Sequence, residues 1–250
     1  MCAAAECDIE RNNDADTTMG KLVFHGHACT EIVSEDGTRI LIDPFLTENP
    51  AAVVGPEHFH DRLDYMLLTH GHFDHVADAW SLLARTGAQL VATFELVSYA
   101  AEKQGHENGH GMNVGGGFDF PFGRVKLTPA VHTASLNAEG GAGYASTPHG
   151  FLLDIDGTRI YHAGDTALIK DMELLEGQVD VALLPIGGHF TMDPSHAAFA
   201  ARDLLKSSHV IPIHYGTFPP LKGTPEELQQ ALKGSSVKVT VMQPGDILKF

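Results

Sequence analysis

The sequence predicts an α/β fold in which two mixed β-sheets pack face to face and helices cover the outside. Two observations support this prediction. Short β-type runs joined by an Asp-Gly turn are followed by strand–helix units, and this order of elements occurs twice along the chain. No Gly-, Pro- or Ser-rich linker separates the two halves, so we expect one domain with internal pseudo-symmetry rather than two domains.

The first half begins with hairpin strands and continues with strand–helix units. The turn at Asp36-Gly37 is typical of a tight hairpin because glycine readily adopts a positive φ. Apolar spacing predicts a helix that Gly87 ends, and the glycine-rich run over 105–117 predicts a loop or a weak strand. The predicted elements are strands over 21–24, 30–34, 39–42 and 63–69, a helix over 75–85, a strand over 89–93 and a helix over 95–104.

The second half repeats this rhythm with a second Asp-Gly turn at Asp156-Gly157. Its strand over 159–163 corresponds in pattern to the strand over 39–42 of the first half. Thr224 followed by Pro225 is a strong helix start, with an N-cap threonine and proline at the first helical position. The predicted elements are strands over 124–131, 150–154, 159–163, 179–184, 209–213, 237–242 and 246–249, and helices over 168–175, 195–206 and from 224.

Composition narrows the classes of function. The formal net charge is −16, which disfavours a nucleic-acid partner because such binding depends on clustered Lys and Arg. No run approaches the roughly 18 to 20 apolar residues of a membrane span, so no membrane partner is expected. Residues 1–20 are expected to be an acidic flexible tail without a secretion signal, and residues 21–250 the single domain. Three cysteines form no disulfide framework, which favours a cytoplasmic protein.

A dense run of metal-ligand residue types follows the buried strand over 63–69. The run is His70-x-His72-x-Asp74-His75, which supplies three imidazoles and a carboxylate within six positions. Because alternate residues of an extended chain face the same way, His70 and His72 can converge on one ion. Asp74 and His75 then point towards a neighbouring ion. The alternative, a coincidental cluster of surface histidines, fits poorly between a buried strand and an amphipathic helix.

Three more residues of ligand type each stand where a strand ends. His132 follows the strand over 124–131, Asp165 follows the strand over 159–163, and His214 follows the strand over 209–213. Ligands at strand ends from several parts of a chain are how a rigid scaffold holds a metal site.

These motifs in this order resemble the metallo-β-lactamase superfamily. The order is H-x-H-x-D-H, a lone histidine, Gly-Asp-Thr, and a histidine that ends an apolar strand, and it extends over nearly the whole chain. The runs 131–133, 161–166, 184–188 and 213–217 more closely resemble small metal-dependent hydrolases related to the ascorbate-6-phosphate lactonases. The resemblance implies a four-layer αβ/βα sandwich, which agrees with the two-half pattern.

The resemblance also implies a dinuclear metal site. It places His70, His72 and His132 on the first ion, Asp74, His75 and His214 on the second, and Asp165 between both. Zinc is the expected metal, with manganese, nickel and iron as alternatives. Homo-oligomers are common in the resembled group, although no interface signature stands out in this sequence.

The chemistry of two adjacent cations predicts hydrolysis. Water shared between them loses a proton near neutral pH, and the resulting metal-bridging hydroxide would attack a small ester, lactone or phosphodiester. Asp74 is the residue expected to orient this nucleophile and move protons. The small molecule itself stays open, because this fold supports many reactions at one site.

Three residues are candidates for the surroundings of the metals. Asp43 matches the superfamily's early Asp, which implies that it orients an imidazole ligand, although a turn residue before Pro44 is the alternative. His27 is expected either to line the pocket or to serve structurally in a tight turn. His189 precedes a segment, 193–196, that departs from the Gly-Pro-Glu type of the relatives, and this departure leaves a pocket-lining role open.

Two other functions remain as alternatives. One is an iron-dependent redox enzyme of the same superfamily, which His72 disfavours because the diiron version carries Glu at that position. The other is a non-catalytic metal-binding protein, which the full set of seven ligand positions disfavours.

Overall fold

The computed structural model describes residues 9–10, 19–136 and 144–250, so the predicted tail over 1–20 lies mostly outside the described residues. Most of the strands lie where the sequence has apolar and β-branched runs. They are β1 (Ile9–Glu10), β2 (Lys21–Gly26), β3 (Cys29–Val33), β4 (Arg39–Ile42), β5 (Tyr65–Leu67), β6 (Gln89–Thr93), β7 (Gly109–Met112), β8 (Gly117–Phe120), β9 (Gly123–Pro129), β10 (Ser135–Leu136), β11 (Tyr144–Ala145), β12 (His149–Ile155), β13 (Thr158–His162), β14 (Val181–Pro185), β15 (His209–Ile213), β16 (Lys238–Val239) and β17 (Ile247–Lys249).

These strands form two large mixed sheets. The first has the order β1-β17-β2-β3-β4-β5-β6-β7, and the second has the order β16-β15-β14-β13-β12-β9-β8. Hairpin strands are antiparallel, whereas β4, β5 and β6 run parallel in the first sheet and β13, β14 and β15 in the second. Strands β10 and β11 pair with each other in a separate small sheet.

The helices are short, and none of those in the described residues has the length and apolarity to cross a membrane. Two 3₁₀ helices span Pro56–Phe59 and Lys170–Leu175, and the fourth α-helix continues as a π-helical segment, Ala200–Leu205. The α-helices are α1 (Phe73–Val76), α2 (Ala79–Thr86), α3 (Phe94–Gln104), α4 (Pro194–Phe199) and α5 (Pro225–Ala231). Thr224 caps α5 in the predicted manner, through a reciprocal pair of hydrogen bonds with Glu227.

The core consists of three apolar layers separated by the two sheets. Along β4, Ile40 and Ile42 pack between the sheets, whereas Leu41 packs on the other face with residues of α2 and α3. Along β14, Leu183 lies between the sheets and Leu184 packs against α4. This alternation follows from the two-residue period of a strand. The result is helix, sheet, sheet and helix, which confirms the predicted four-layer αβ/βα sandwich.

The helix predicted over 75–85 is divided into α1 and α2. The break falls at Asp78, whose carboxylate accepts hydrogen bonds from the backbone N–H groups of Leu46 at 2.7 Å and Thr47 at 3.0 Å. The Asp78 backbone N–H in turn donates to the carbonyl oxygen of Pro44 at 3.1 Å. A contact with a distant loop therefore divides a helix that local periodicity predicts as continuous.

Other elements differ from prediction in extent. The run 105–117 contains β7, where Gly109 is required because a Cβ there would lie 2.4 Å from Val97 on α3. The helix predicted over 168–175 is only the 3₁₀ helix, and the strand predicted over 237–242 is limited to β16. Strand β8 was not predicted, since its side chains are mostly exposed and lack alternation.

Candidate metal centre

The predicted ligands lie together at one edge of the sandwich, beyond the strand ends of both sheets. His70 lies three residues after β5, and Asp165 lies three residues after β13. His214 directly follows β15, and His132 follows β9. Because the carboxyl ends of β5, β13 and β15 meet at this edge, residues from distant parts of the sequence converge there.

Three imidazoles form the first part of the cluster. His70 Nε2 lies 3.0 Å from His72 Nδ1, and His132 Nε2 lies 3.3 Å from the same His72 nitrogen. One imidazole nitrogen carries either one proton or one lone pair, so His72 Nδ1 cannot form good hydrogen bonds to both neighbours. Three nitrogens that face one another in this way are suited to a shared cation.

The Asp165 carboxylate connects this group with two further imidazoles. Its Oδ1 lies 3.4 Å from His75 Nε2, and its Oδ2 lies 3.0 Å from His214 Nε2 and 3.5 Å from His132 Nε2. Asp165 is only 3% exposed, so water does not surround this charge. The carboxylate therefore stands between the three-histidine group and the pair formed by His75 and His214.

Asp43 fixes the orientation of the His75 imidazole. Its Oδ2 accepts hydrogen bonds from His75 Nδ1 at 2.7 Å and from Thr69 Oγ1 at 2.6 Å, and its Oδ1 accepts one from the Thr69 N–H at 2.8 Å. The proton on His75 Nδ1 leaves Nε2 as the atom that faces Asp165. The geometry therefore places Asp43 in contact with an imidazole of the cluster, as the resemblance implied, rather than in a plain turn.

His27 and Asp74 form the remaining part of the cluster. Asp74 Oδ2 lies 3.0 Å from His27 Nε2 and 3.7 Å from His214 Nε2. The other ring nitrogen of His27, Nδ1, lies 3.0 Å from Thr217 Oγ1. His27 is buried and has a left-handed backbone conformation with φ of 59°. Its contact with Asp74 makes it part of the cluster as well as of a turn.

Several buried atoms of the cluster form no hydrogen bond of good geometry among the described residues: His75 Nε2, Asp165 Oδ1 and both ring nitrogens of His214. His75 Nε2 and His214 Nε2 do lie near Asp165 oxygens, at 3.4 and 3.0 Å. Leaving such groups unpaired in the interior costs about 1 to 3 kcal/mol each. The nitrogen and oxygen atoms that could bind a metal also form three groups, and within each group these atoms lie within 4.8 Å of one another. The groups are His27 with Asp74, His75 and His214; His70 with His72 and His132; and His70 with His75 and Asp165. Unpaired imidazole and carboxylate atoms at this spacing fit bound divalent cations.

The local electrostatics favour the protonation state of a metal ligand at four residues of the cluster. Burial lowers the pKa of His70, His72 and His132, which keeps these rings neutral. Burial would raise the pKa of Asp165, but the imidazoles of His214 and His75 outweigh it and hold the pKa well below its ordinary value. Neutral imidazole and ionised carboxylate are the forms that bind a cation. At His75 and His214 burial would lower the pKa, but Asp165 outweighs it and raises the pKa, at His214 to about 9, so a bound cation would displace a proton from these two rings.

One predicted pocket residue lies elsewhere, and two contacting residues were not predicted. His189 is exposed and packs against Phe190 at a centroid distance of 4.4 Å, rather than joining the cluster. Thr69 bonds Asp43 and also lies 3.0 Å from His70 Nδ1, while Thr217 contacts His27. Their positions beside His70 and three residues after His214 were the only sequence signals available for them.

Comparison with known proteins agrees with this architecture. Residues 38–215 match the family model described as a beta-lactamase superfamily domain. A UPF0173 metal-dependent hydrolase from Desulfitobacterium hafniense is 46% identical over 232 residues, covering 90% of this chain and 96% of the relative. The structure of a metallo hydrolase from Ignicoccus hospitalis is similar with a TM-score of 0.80 and 36% identity, covering 93% of this chain and 99% of that one.

The fold is also found in proteins described as iron enzymes. A diiron β-hydroxylase from Streptomyces venezuelae is similar with a TM-score of 0.67 at 17% identity, covering 93% of this chain and 54% of that one. At this identity the similarity extends to the fold alone. The extent and identity of the first matches show that the chain belongs to the metallo-β-lactamase superfamily and to its family of metal-dependent hydrolases.

Proposed function

We propose that this metal-dependent hydrolase of the metallo-β-lactamase superfamily holds two divalent cations, zinc in the first place, and cleaves a small ester, lactone or phosphodiester. The observation that carries the proposal is the position of Asp165, whose two oxygens face His75 on one side and His132 and His214 on the other. One carboxylate with imidazoles on both sides is suited to joining two cations.

The residues divide into two ligand sets. His70, His72 and His132 would hold the first cation, and Asp74, His75 and His214 the second, with Asp165 shared. His27 is within reach of the second set and holds Asp74 in place. The cations would lower the pKa of water in the site and polarise the oxygen of the bond that is cleaved.

The protein's own groups then position the reactants. Asp74 is half-buried at the mouth of the cluster, where its carboxylate can orient the attacking water and take its proton. The hydrogen bond from His27 Nε2 leaves the second Asp74 oxygen available for this role, and Thr217 Oγ1 fixes the His27 ring from its other nitrogen. Asp43 prevents rotation of the His75 ring by accepting from Nδ1.

The test combines metal analysis with a substrate screen. We expect two equivalents of metal per chain in the purified protein, fewer in His72→Ala, and two in the matched control His189→Ala, whose ring lies outside the cluster. Activity on a panel of lactones, thioesters and phosphodiesters should be lost in His72→Ala and with a chelator, and kept in His189→Ala.

Two results would contradict the proposal. A His72→Ala protein with full activity would remove the catalytic assignment, and one equivalent of metal at full activity would remove the dinuclear one. Turnover that requires oxygen or an electron donor would favour the iron-dependent redox alternative, because hydrolysis proceeds equally well without air.

A further inference from the structure

A cavity of about 610 Å³ opens directly beside the cluster, with His72 and Asp74 in its wall. This volume lies within the range of about 300 to 1,000 Å³ that is typical of small-molecule sites. Because the wall includes two residues of the cluster, a molecule bound there would reach the reacting centre. Its wall also contains Phe73, Val76, Trp80, Tyr99, Ser135 and Leu136.

The wall away from the cluster is apolar and well packed. Trp80 on α2 and Tyr99 on α3 contact each other with ring centroids 5.4 Å apart. Val76 and Leu136 are 6% and 4% exposed and belong to the core beneath the first sheet. These side chains are therefore held in position by the fold, so the cavity offers a preformed apolar surface rather than one that must assemble around a ligand.

An aromatic side chain at the entrance extends this surface. Phe73 is 52% exposed, although it lies between two residues of the cluster and its ring packs against Phe45 at 5.6 Å. Covering an exposed phenylalanine with an apolar ligand group is favourable, because it removes apolar surface from water. A substrate with an apolar group would supply that cover.

The lining contains no basic side chain of Lys or Arg within the part of the chain that the structure describes. Asp74 in the wall is, by contrast, an acid. The chain segments that carry the lining also lack both residue types, since none occurs within 63–84, 86–102 or 127–158. An anionic substituent placed in this cavity would lose its hydration without meeting a cationic side chain, which is unfavourable.

We propose that this cavity binds the uncharged apolar substituent of the substrate, aromatic or alkyl, and that the enzyme prefers substrates with such a substituent to substrates that carry a distal carboxylate. The choice of scissile bond rests on the proposed function above. Binding of an apolar group in the cavity does not, because it depends only on the lining.

Trp80 makes the binding measurable without turnover, because it is the single tryptophan of the chain. Its emission should change saturably when the neutral, non-hydrolysable probe 4-phenylbutanamide is titrated. The matched probe 4-(4-carboxyphenyl)butanamide, which adds one distal carboxylate, should bind at least about 10-fold more weakly, equivalent to about 1.4 kcal/mol. Both titrations are run on the metal-loaded protein and after treatment with a chelator.

A positive charge placed in the wall should reduce this preference for the neutral probe. Ser135 is exposed and lines the cavity, so Ser135→Lys should strengthen binding of the carboxylate probe by several-fold and weaken that of the neutral probe little. Ser208→Lys is the control, because it adds the same charge at an exposed position just before β15, at the opposite edge of the sheet. Binding of both probes to Ser208→Lys should equal that of the wild type.

The outcomes separate the two proposals. Equal affinity for the two probes, or no saturable change in Trp80 emission, would overturn the assignment of the cavity even if esters are cleaved. Kinetics with methyl phenylacetate and methyl (4-carboxyphenyl)acetate add a second criterion. The value of kcat/KM should be higher for the neutral ester than for the ester that carries the carboxylate. Probe binding with the expected preference, but no cleavage of any ester, lactone or phosphodiester, would uphold the cavity and overturn the proposed reaction.

Discussion

The two halves of the molecule are built alike at one edge and differ at the other. In the first half the Arg39 backbone N–H donates to Asp64 Oδ2 at 2.8 Å, and the Asp64 backbone N–H donates to the Arg39 carbonyl oxygen at 3.1 Å. In the second half the Arg159 backbone N–H donates to Asp180 Oδ2 at 2.9 Å, and the Asp180 backbone N–H donates to the Arg159 carbonyl oxygen at 2.9 Å. Each arginine also follows an Asp-Gly turn whose glycine has a positive φ.

The two halves differ at the opposite edge, where the candidate metal centre lies. Asp43 and Asp165 each follow the second strand of a hairpin, but Asp43 is saturated by Thr69 and His75, whereas Asp165 faces three imidazoles with one oxygen unpaired. The same strand arrangement thus supplies a positioning group in one half and a candidate ligand in the other. The edge that the halves share therefore carries repeated structural contacts, and the edge where they differ carries the candidate site.

The largest expected effect distinguishes these two aspartates. Asp165→Asn should lower kcat/KM by about 1,000-fold, equivalent to about 4 kcal/mol of transition-state stabilisation, and should reduce the bound metal. Asp43→Asn should lower kcat/KM only about 10- to 100-fold, because it removes a contact to the proposed ligand His75 and not a proposed ligand itself.

The measurement is kcat/KM with metal content on both variants, using Asp193→Asn as a control outside the cluster. Equal losses at Asp43 and Asp165, with equal metal content, would refute the distinction between the halves.

An intermediate effect concerns the shared edge at acidic pH. His209 begins β15 opposite Val181, where the first half has Gln89 opposite Tyr65. Burial, reinforced by Lys238, lowers the pKa of His209 to about 4 from 6.5, and its Nε2 lies 2.6 Å from Thr240 Oγ1. A lowered pKa means that the unfolded chain takes up the proton first, so this stability is complete above pH 6.5 and is lost as the pH falls towards 4.

His209→Gln makes the two halves alike at this position. Between pH 7 and pH 5 the wild type should lose roughly 1 to 2 kcal/mol more free energy of unfolding than the variant does, as measured by urea denaturation at both values. An identical loss in the two proteins would show that His209 is not the acid-sensitive group.

The smallest effect compares the two arginine–aspartate pairs. Asp180 accepts from Arg159 N and Nε through Oδ2 and from Nη2 through Oδ1, all at 2.9 Å, whereas Asp64 accepts from the Arg39 N–H and more loosely from Arg62. Asp180→Asn should therefore cost about 1 kcal/mol and Asp64→Asn about half as much, small values because the carboxylates are partly exposed. Thermal denaturation with Asp203→Asn as the control measures both, and a larger cost at Asp64 would reverse the ranking.

Much of the fold was predictable because its signals are local. Strands β4, β6 and β15 occur with the bounds that apolar patterning predicted, and the Asp-Gly turns and the Thr224 cap depend on residues close in sequence. Elements whose boundaries depend on distant contacts were less predictable. Asp78 divides a predicted helix through its bonds to Leu46 and Thr47, more than 30 residues away.

The candidate site shows the same distinction. Its seven predicted ligands were identifiable by residue type and by their positions after strands, and the structure brings all seven together. The contacts of Thr69 and Thr217 were not predictable, because a threonine carries no distinguishing pattern until its partner is known. His189 was named from a departure in sequence, and its position on an exposed loop keeps it from the cluster.

The sequence by itself determined the order of elements, the two-half pattern and the residues able to bind metal, because periodicity, turn chemistry and ligand type are properties of neighbouring residues. Only the tertiary structure decided that Asp165 stands between two groups of imidazoles, that Asp43 and His27 contact the cluster, and that Trp80 and Tyr99 form an apolar wall beside it. Each of these depends on distances between residues from separate strands and helices, which the packing of the two sheets sets.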